Sequence, residues 1–444
     1  MRPQDSIGRQ ADMRPVTGFG LPRVRLGTRK TSRAEPEILL DLETSTSTGA
    51  SMFKRQQITK TLVVSVLTGL VAGPASALPG DDGAPAAQKR SDELVPVQVA
   101  GPFEFPWSIG FLPDGSFLVT EKPGRLRLVR PGSKAREIRG LPPIRSGEQG
   151  GLLDVAVDPD FAKTGTVYLS YTHGTQDAST VRILKGRLDL KTRRLVNQTV
   201  LFESDPPASA NEQLGGRLAV TRDGYLFLSL GDRWEPKRAQ DLSDHAGSII
   251  RIHTDGSVPV TNPFVAVPGA KPEIWSYGHR NPQGLISDDG TGQVWATEHG
   301  PQGGDELNLI QPGRNYGWPM VSHGLNYDGS PVGSGTATAP GIEEPVHFWV
   351  PSIAPSGLTM QRDGEQVSLF SGALAGQMVV GLSIGENKVV GEQRLLAGEL
   401  GRIRDVRLGP DGLLYVITDD PEGHLYQLVP ATEQARRRGH RAPL

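Results

Sequence analysis

Apolar and polar residues alternate along most of this chain, and the alternation recurs in one frame. Each copy opens on a small or apolar pair, runs through alternating apolar residues and breaks at a turn containing Asp. A second apolar strand then completes it. The copies are Trp107-SIGFLPDGSFLVTE, Leu153-DVAVDPDFAKTGTVYLSYT, Arg217-LAVTRDGYLFLSLGD, Gln283-GLISDDGTGQVWATE, Ser356-GLTMQRDGEQVSLF and Asp405-VRLGPDGLLYVITD. A period of two with Asp-Gly turns predicts antiparallel hairpins. The copies recur at roughly 45- to 75-residue intervals, room for one four-stranded sheet plus loops. The predicted fold is all-β, a six-bladed β-propeller over 93–430 whose radial repetition protects its sheet edges. Gly423-HLYQLVP is expected to pair near Leu94-VPVQVA and close the ring. The longest insertions are expected around 173–215 and 234–280, building a site on one face.

The ends of the chain break the pattern. Residues 1–51 show no sustained apolar periodicity. Met52-Phe53-Lys54-Arg55, the apolar run Leu62–Ala72 and Ala75-Ser76-Ala77 form a secretory signal peptide, the run being too short to span a bilayer. The sequence therefore predicts a translation start at Met52, with 1–51 a non-native extension and cleavage after Ala77. Residues 78–92 read as a flexible lead-in and 431–444 as a basic, solvated tail. The expected location is the periplasm or the exterior, with no membrane insertion of the processed chain.

Composition narrows the chemistry. The 444 residues include 55 Gly and 36 Pro, as a turn-rich β protein requires. No cysteine is present, which excludes disulfides, thiolate metal sites and cysteine nucleophiles. A formal net charge of −2 argues against a nucleic-acid partner. The densest chemistry lies in Glu273–Pro319. There Gly278-His279-Arg280-Asn281-Pro282 sets a cation and an amide at a turn. Glu298-His299-Gly300-Pro301 can aim carbonyl oxygens at an ion, and Asp305-Glu306 and Tyr316 add oxygen ligands.

Further motifs share the order of a known family: Gln149-GGLL, Gly215-GRL, Gly231-Asp232, Gly278-HRNPQG, Glu298-HGPQGGDELN, Asn315-YGWP, Pro351-SIAPSG and Arg402-IRDV. On these residues the chain resembles the soluble quinoprotein sugar dehydrogenases, the glucose/sorbosone dehydrogenase family. Its bacterial aldose sugar dehydrogenase branch is the most similar. The resemblance runs from about Trp107 to Val429. It implies an exported six-bladed propeller binding pyrroloquinoline quinone (PQQ) and calcium, and oxidising an aldose at its anomeric carbon to the lactone. A sugar substrate, an external electron acceptor and a monomer or homodimer go with it.

By the same resemblance Arg280 and Asn281 sit over the quinone, while Arg402 and Arg404 clamp its carboxylates. Guanidinium groups suit a planar tricarboxylate because they pair bidentately and stack. Gln149 and Gln240 would add amide bonds and Ser352 a hydroxyl. The Gly300 and Pro301 carbonyls match a calcium site against the cofactor. Glu306 and Tyr316 match a second, structural one.

Two positions depart from the family pattern. The family's general base is a histidine just before Gly-Gly-Arg, where this chain has Gln213. A neutral amide accepts no proton at useful pH. Glu212 is one candidate to replace it, and His279, His299 and His245 are others. Otherwise the chain turns over slowly with water, or binds cofactor without turnover. A cofactor-binding lysine of some members is also missing from Gly372-ALAGQMVVGL, and the sequence does not place Lys388 on the pocket. Two further classes stay open: a calcium-dependent lactonase-type hydrolase and a non-catalytic binding propeller.

Overall fold

Six four-stranded antiparallel sheets follow one another along the chain. The computed structural model describes residues 93–434. The expected extension, signal peptide and lead-in (1–92) and the tail from 435 onward lie outside the described residues. Blade I comprises β2 to β5 (Pro106–Phe111, Phe117–Glu121, Arg125–Val129, Arg136–Ile138). Blade II comprises β6 to β9 (Leu152–Val157, Thr166–Gly174, Ser179–Asp189, Arg194–Glu203). Blade III comprises β10 to β13 (Leu218–Val220, Tyr225–Ser229, Ser248–His253, Ile274–Tyr277). Blade IV comprises β14 to β17 (Pro282–Ser287, Val294–Glu298, Asp305–Ile310, His347–Trp349). Blade V comprises β18 to β21 (Pro355–Asp363, Gln366–Ala373, Met378–Gly385, Lys388–Leu395). Blade VI takes β22 to β24 (Ile403–Leu408, Leu414–Thr418, Gly423–Pro430) and borrows β1 (Leu94–Phe103) from the other end. The expected closure is present: Leu94 pairs with Pro430 and Val97 with Gln427.

Each predicted frame supplies the two inner strands of one blade. Strands buried on both faces pack between blades, so the core lies between sheets. Leu118, Leu126 and Ile138 of blade I meet Val155, Val167 and Leu184 of blade II. Burying each such side chain is worth roughly 1.5–3 kcal/mol. Hydroxyls add inter-blade links: Thr120 Oγ1 donates to the Leu153 carbonyl at 2.6 Å and Ser229 Oγ to the Pro282 carbonyl at 3.0 Å.

Segment 173–215 is not the loop insertion expected from the sequence. It holds the β8–β9 hairpin, because β9 is an exposed edge strand that lacks the apolar alternation of inner strands. The long irregular stretch instead separates β16 from β17, between Ile310 and His347.

Polar residues fill the axis. Arg217, fully buried, lies 3.4 Å from Asp154 and 3.2 Å from Asp405. Arg407 pairs with both carboxylates at 3.0 Å. The Leu218 and Ile109 backbone N–H groups donate to Asp154 and Asp405 respectively, and the Arg217 guanidinium stacks 4.0 Å from the Trp107 ring centroid. These charges tie blades I, II, III and VI together under the candidate site.

Candidate active site

Two glycine motifs shape the site wall. A Cβ at Gly151, with φ of +152°, would lie 1.9 Å from the Lys122 carbonyl. Only glycine lets the 149–151 turn pass beneath Lys122. At Gly216, φ +93°, a Cβ would meet the Leu153 side chain at 2.4 Å. Together these approaches bring Gln149, Lys122 and the 211–216 loop around one space.

That space is a cavity of about 250 Å³, lined by Trp107, Lys122, Gln149, Asn281, Gln283, His299, Arg402, Arg404 and Asp419 among others. Of the residues inferred from the sequence, Gln149, Asn281, His299, Arg402 and Arg404 line it. Asn281, buried, accepts from the Gly215 N–H and from Gln283 Nε2, both at 3.1 Å. Gln149 Oε1 accepts the Gln213 N–H at 2.9 Å. Arg402 and Arg404 share Asp419, at 3.0 and 3.1 Å. Burial opposes ionisation of Asp419, but Arg404, Arg402 and Lys122 outweigh it and hold the carboxyl at about 2. Burial lowers the Lys122 ammonium, and Arg404 reinforces the shift.

Lys122, just after β3, stands in none of the motifs. The stretch 372–382 holds no lysine, whereas the fold brings Lys122 to the cavity from blade I. Lys388 lies on the exposed edge strand β21. Gln240 does not line the cavity. Its amide nitrogen donates to Asn315 Oδ1 (3.0 Å) and to the Trp318 carbonyl (2.7 Å), while its oxygen accepts from Asn315 Nδ2 at 2.7 Å. Ser352 donates to Asp305 Oδ2 at 2.6 Å.

Arg280 reaches across the rim. Its Nη1 donates to the His299 and Gly300 carbonyls at 3.2 and 2.8 Å. Among the described residues no backbone N–H is paired with the Gly300 or Pro301 carbonyl. Oxygen donors of this kind suit a hard cation, although the Gly300 carbonyl already accepts from the Arg280 guanidinium. Glu306 accepts from Asn308 Nδ2 at 3.0 Å, and burial, then Glu298, pushes its carboxyl up to about 8. The Tyr316 hydroxyl donates to the Leu309 carbonyl and accepts the Gln311 N–H. That hydroxyl is already engaged by backbone.

Gln213 is buried at φ +46°. With its amide nitrogen toward Asp232 it donates to Asp232 Oδ1, and its oxygen accepts from Arg280 Nη2 at 3.2 Å. Asp232, 1% exposed, also takes the Trp318 indole N–H at 2.7 Å and the Trp234 N–H at 3.0 Å. Burial raises its carboxyl to about 6, despite Trp318 and Arg280. In the sequence Asp232 stands out only as part of Gly231-Asp232. Glu212, named above as a substitute base, does not line the cavity, and neither does Asp232.

The histidines separate cleanly. His279 spends Nδ1 on Glu298 and Nε2 on Ser276, both at 2.9 Å. His245 takes the Asp205 N–H at Nδ1 and faces Glu273 at Nε2. His299 alone of the three lines the cavity. Its Nε2 faces the Pro355 carbonyl at 2.9 Å, and burial, aided by Arg280 and Arg404, pushes the ring down to about 4. It is neutral at physiological pH.

The cavity walls fit a polyanion. Lys122, Arg402 and Arg404 give three positive charges against the one negative of Asp419, leaving two in excess. The Trp107 ring adds a flat apolar surface.

Comparisons with known proteins bear on the family and the fold. A profile of the Glucose / Sorbosone dehydrogenase family matches residues 103–427. The aldose sugar dehydrogenase YliI of Escherichia coli (strain K12) is 39% identical over 336 residues, 74% of this chain and 90% of that protein. A crystal structure of a glucose dehydrogenase superposes with a TM-score of 0.72 at 42% identity, covering 75% of this chain and 99% of the other. The PQQ-bound form of an aldose sugar dehydrogenase from Streptomyces coelicolor gives a TM-score of 0.65 at 28% identity, over 76% and 98% of the two chains. Among the described residues no helix is long and apolar enough to cross a membrane.

Proposed function

The chain belongs to the glucose/sorbosone dehydrogenase family, and we propose that it oxidises aldose sugars at the anomeric carbon to the lactone, using PQQ and calcium. The excess of cationic groups around the cavity carries this reading, because a flat tricarboxylate needs such a wall. When bound, the quinone supplies a two-electron acceptor and calcium a Lewis acid beside it. The chain's own residues bind and orient. Arg404, Arg402 and Lys122 would pair with its carboxylates, Asn281 and Gln149 would offer it hydrogen bonds, and the Gly300 and Pro301 carbonyls would hold the cation. An external electron acceptor, and export directed by residues 52–77, complete the proposal.

Arg404 is the more buried of the two arginines, its side chain 11% exposed against 47% for Arg402. Arg404→Ala is therefore expected to weaken PQQ binding by roughly 10- to 100-fold, and Arg402→Ala only several-fold. Titration of bound-quinone absorbance measures both, and equal losses would contradict the assignment.

The proton leaving the sugar hydroxyl also needs a destination. Asp232 is the carboxylate set to hold it, with its raised pKa and a direct link to Gln213. Gln213 must turn out of the line before Asp232 is reached, so turnover is slow. The rate is expected to rise as Asp232 ionises, through about pH 6, and then to level. Asp232→Asn should abolish that inflection and lower the plateau by about an order of magnitude. An unchanged pH profile would exclude Asp232.

Binding without turnover is the second reading, and Gln213 is the observation that favours it. The hydrolase alternative needs convergent carboxylates, whereas the cavity wall offers Asp419 tied to two arginines. Aldose-dependent dye reduction by protein reconstituted with PQQ and calcium tests the function. No reduction with any aldose would overturn it.

A further inference from the structure

Two exposed aromatic side chains stand beside Arg280, outside the cavity wall. Trp234 is 45% exposed and Tyr327 65% exposed. Their ring centroids lie 6.4 Å apart with the planes tilted by 47°. The Arg280 guanidinium carbon is 6.0 Å from each ring centroid, and Arg280 Nη2 meets the Tyr327 hydroxyl at 3.3 Å. Among the described residues the buried Arg280 Nε meets no hydrogen-bond partner.

This presentation is costly to maintain. Arg233 and Trp234 both lie in the left-handed region, at φ +60° and +62°. Consecutive non-glycine residues there store strain, which persists only where surrounding contacts enforce it. The contacts are specific: Arg233 is buried and its guanidinium bonds Ser179 Oγ and the Glu212 carbonyl. The Trp234 N–H is fixed by Asp232 Oδ1. Arg233 is thus locked inward and Trp234 turned outward, directly beside the carboxylate assigned to the proton.

We propose that Trp234 and Tyr327 form a stacking subsite for the pyranose ring of the sugar, with Arg280 facing its hydroxyls. Rings tilted at 47° make a corner, not the parallel slot a flat aromatic ligand would need. A chair pyranose presents axial C–H bonds on a curved face and hydroxyls around its edge. The C–H face packs on indole and phenol rings, which combine apolar area with electron-rich faces. The hydroxyl edge meets the guanidinium, whose N–H donors suit oxygen acceptors. The aromatic corner selects ring shape, whereas the cationic cavity behind it selects cofactor. This inference rests on the sugar dehydrogenase reading, which it deepens.

The test separates stacking from oxidation. Trp234 is the exposed one of the chain's six tryptophans, so acrylamide quenching of fluorescence reports mainly on it. Methyl glycosides of pyranose sugars stack but carry no free anomeric hydroxyl to oxidise. With full-length protein loaded with PQQ and calcium, a panel of methyl pyranosides is expected to shield the quenchable tryptophan. That shielding should vanish in Trp234→Phe. In dye-linked kinetics Trp234→Ala and Tyr327→Ala should each raise KM for the oxidised aldose roughly 5- to 10-fold. Quinone loading should stay unchanged, and Trp234→Phe should restore KM. Shielding without turnover would support the subsite while overturning the dehydrogenase reading. Turnover with neither shielding nor a KM change would overturn the subsite and leave the dehydrogenase standing. Neither shielding nor turnover overturns both.

Discussion

Replacing Gln213 with histidine is expected to raise kcat for aldose oxidation by roughly 10²–10⁴-fold, the usual contribution of a positioned general base. The backbone tolerates the change. Gln213 lies at φ +46°, a region that histidine enters more readily than most residues. Its side chain already spans from Asp232 to Arg280. An imidazole there would donate Nδ1–H to Asp232 and present the Nε2 lone pair toward the cavity side. The carboxylate would then orient the ring and stabilise its protonated form. Since the sugar contacts do not change, KM should move little. Single-turnover kinetics after quinone loading measure the effect. An unchanged rate constant would mean that the proton leaves by a route independent of position 213.

The second large effect is on stability. Arg217→Met leaves Asp154 and Asp405 at the propeller axis with Arg407 as their remaining guanidinium partner. Removing one partner from a buried charge cluster costs roughly 3–5 kcal/mol, because the other charges keep their desolvation penalty. Arg217 also gives Nε–H to the Gln283 carbonyl and packs on Trp107. Methionine fills much of the volume but restores no bond. The pH dependence has a definite sign. Burial works to raise the Asp154 pKa, but Arg217 and Arg407 outweigh it and the carboxyl ends below its ordinary value. A depressed carboxyl contributes stability above its unfolded pKa near 4 and loses it as pH falls through the folded value. Without Arg217 the folded value rises, so acid unfolding should begin at higher pH. Urea unfolding at pH 7 and at pH 4 checks both parts.

Parts of the molecule were legible from sequence for a physical reason. Inner strands such as β3 and β11 are buried on both faces and follow Asp-Gly turns, so local pattern and tertiary environment agree. Outer strands such as β9 and β21 are largely exposed and follow no apolar alternation, which is why 173–215 read as an insertion. The ring closure was visible because β1 and β24 carry matching apolar stretches.

The candidate site divides the same way. Arg402 and Arg404 stand in a motif, and both line the cavity. Lys122 was missed because it follows an inner strand of a different blade, without a local signal. Gln240 stands apart from the cavity because its amide is taken by Asn315, 75 residues away, a pairing with no local signal. Asp232 gains its significance from burial and from contact with Gln213. Neither property can be read from the dipeptide Gly231-Asp232.

The measurement closest to the central claim is an anaerobic titration of the chain beginning at Leu78 with PQQ and calcium, followed by absorbance. The account predicts tight, saturable binding that Arg404→Ala weakens. Addition of an aldose should then bleach the bound quinone, slowly in the native chain and rapidly in Gln213→His. Failure to bind PQQ in the presence of calcium would contradict the account, because the cationic cavity would then have no cofactor to hold.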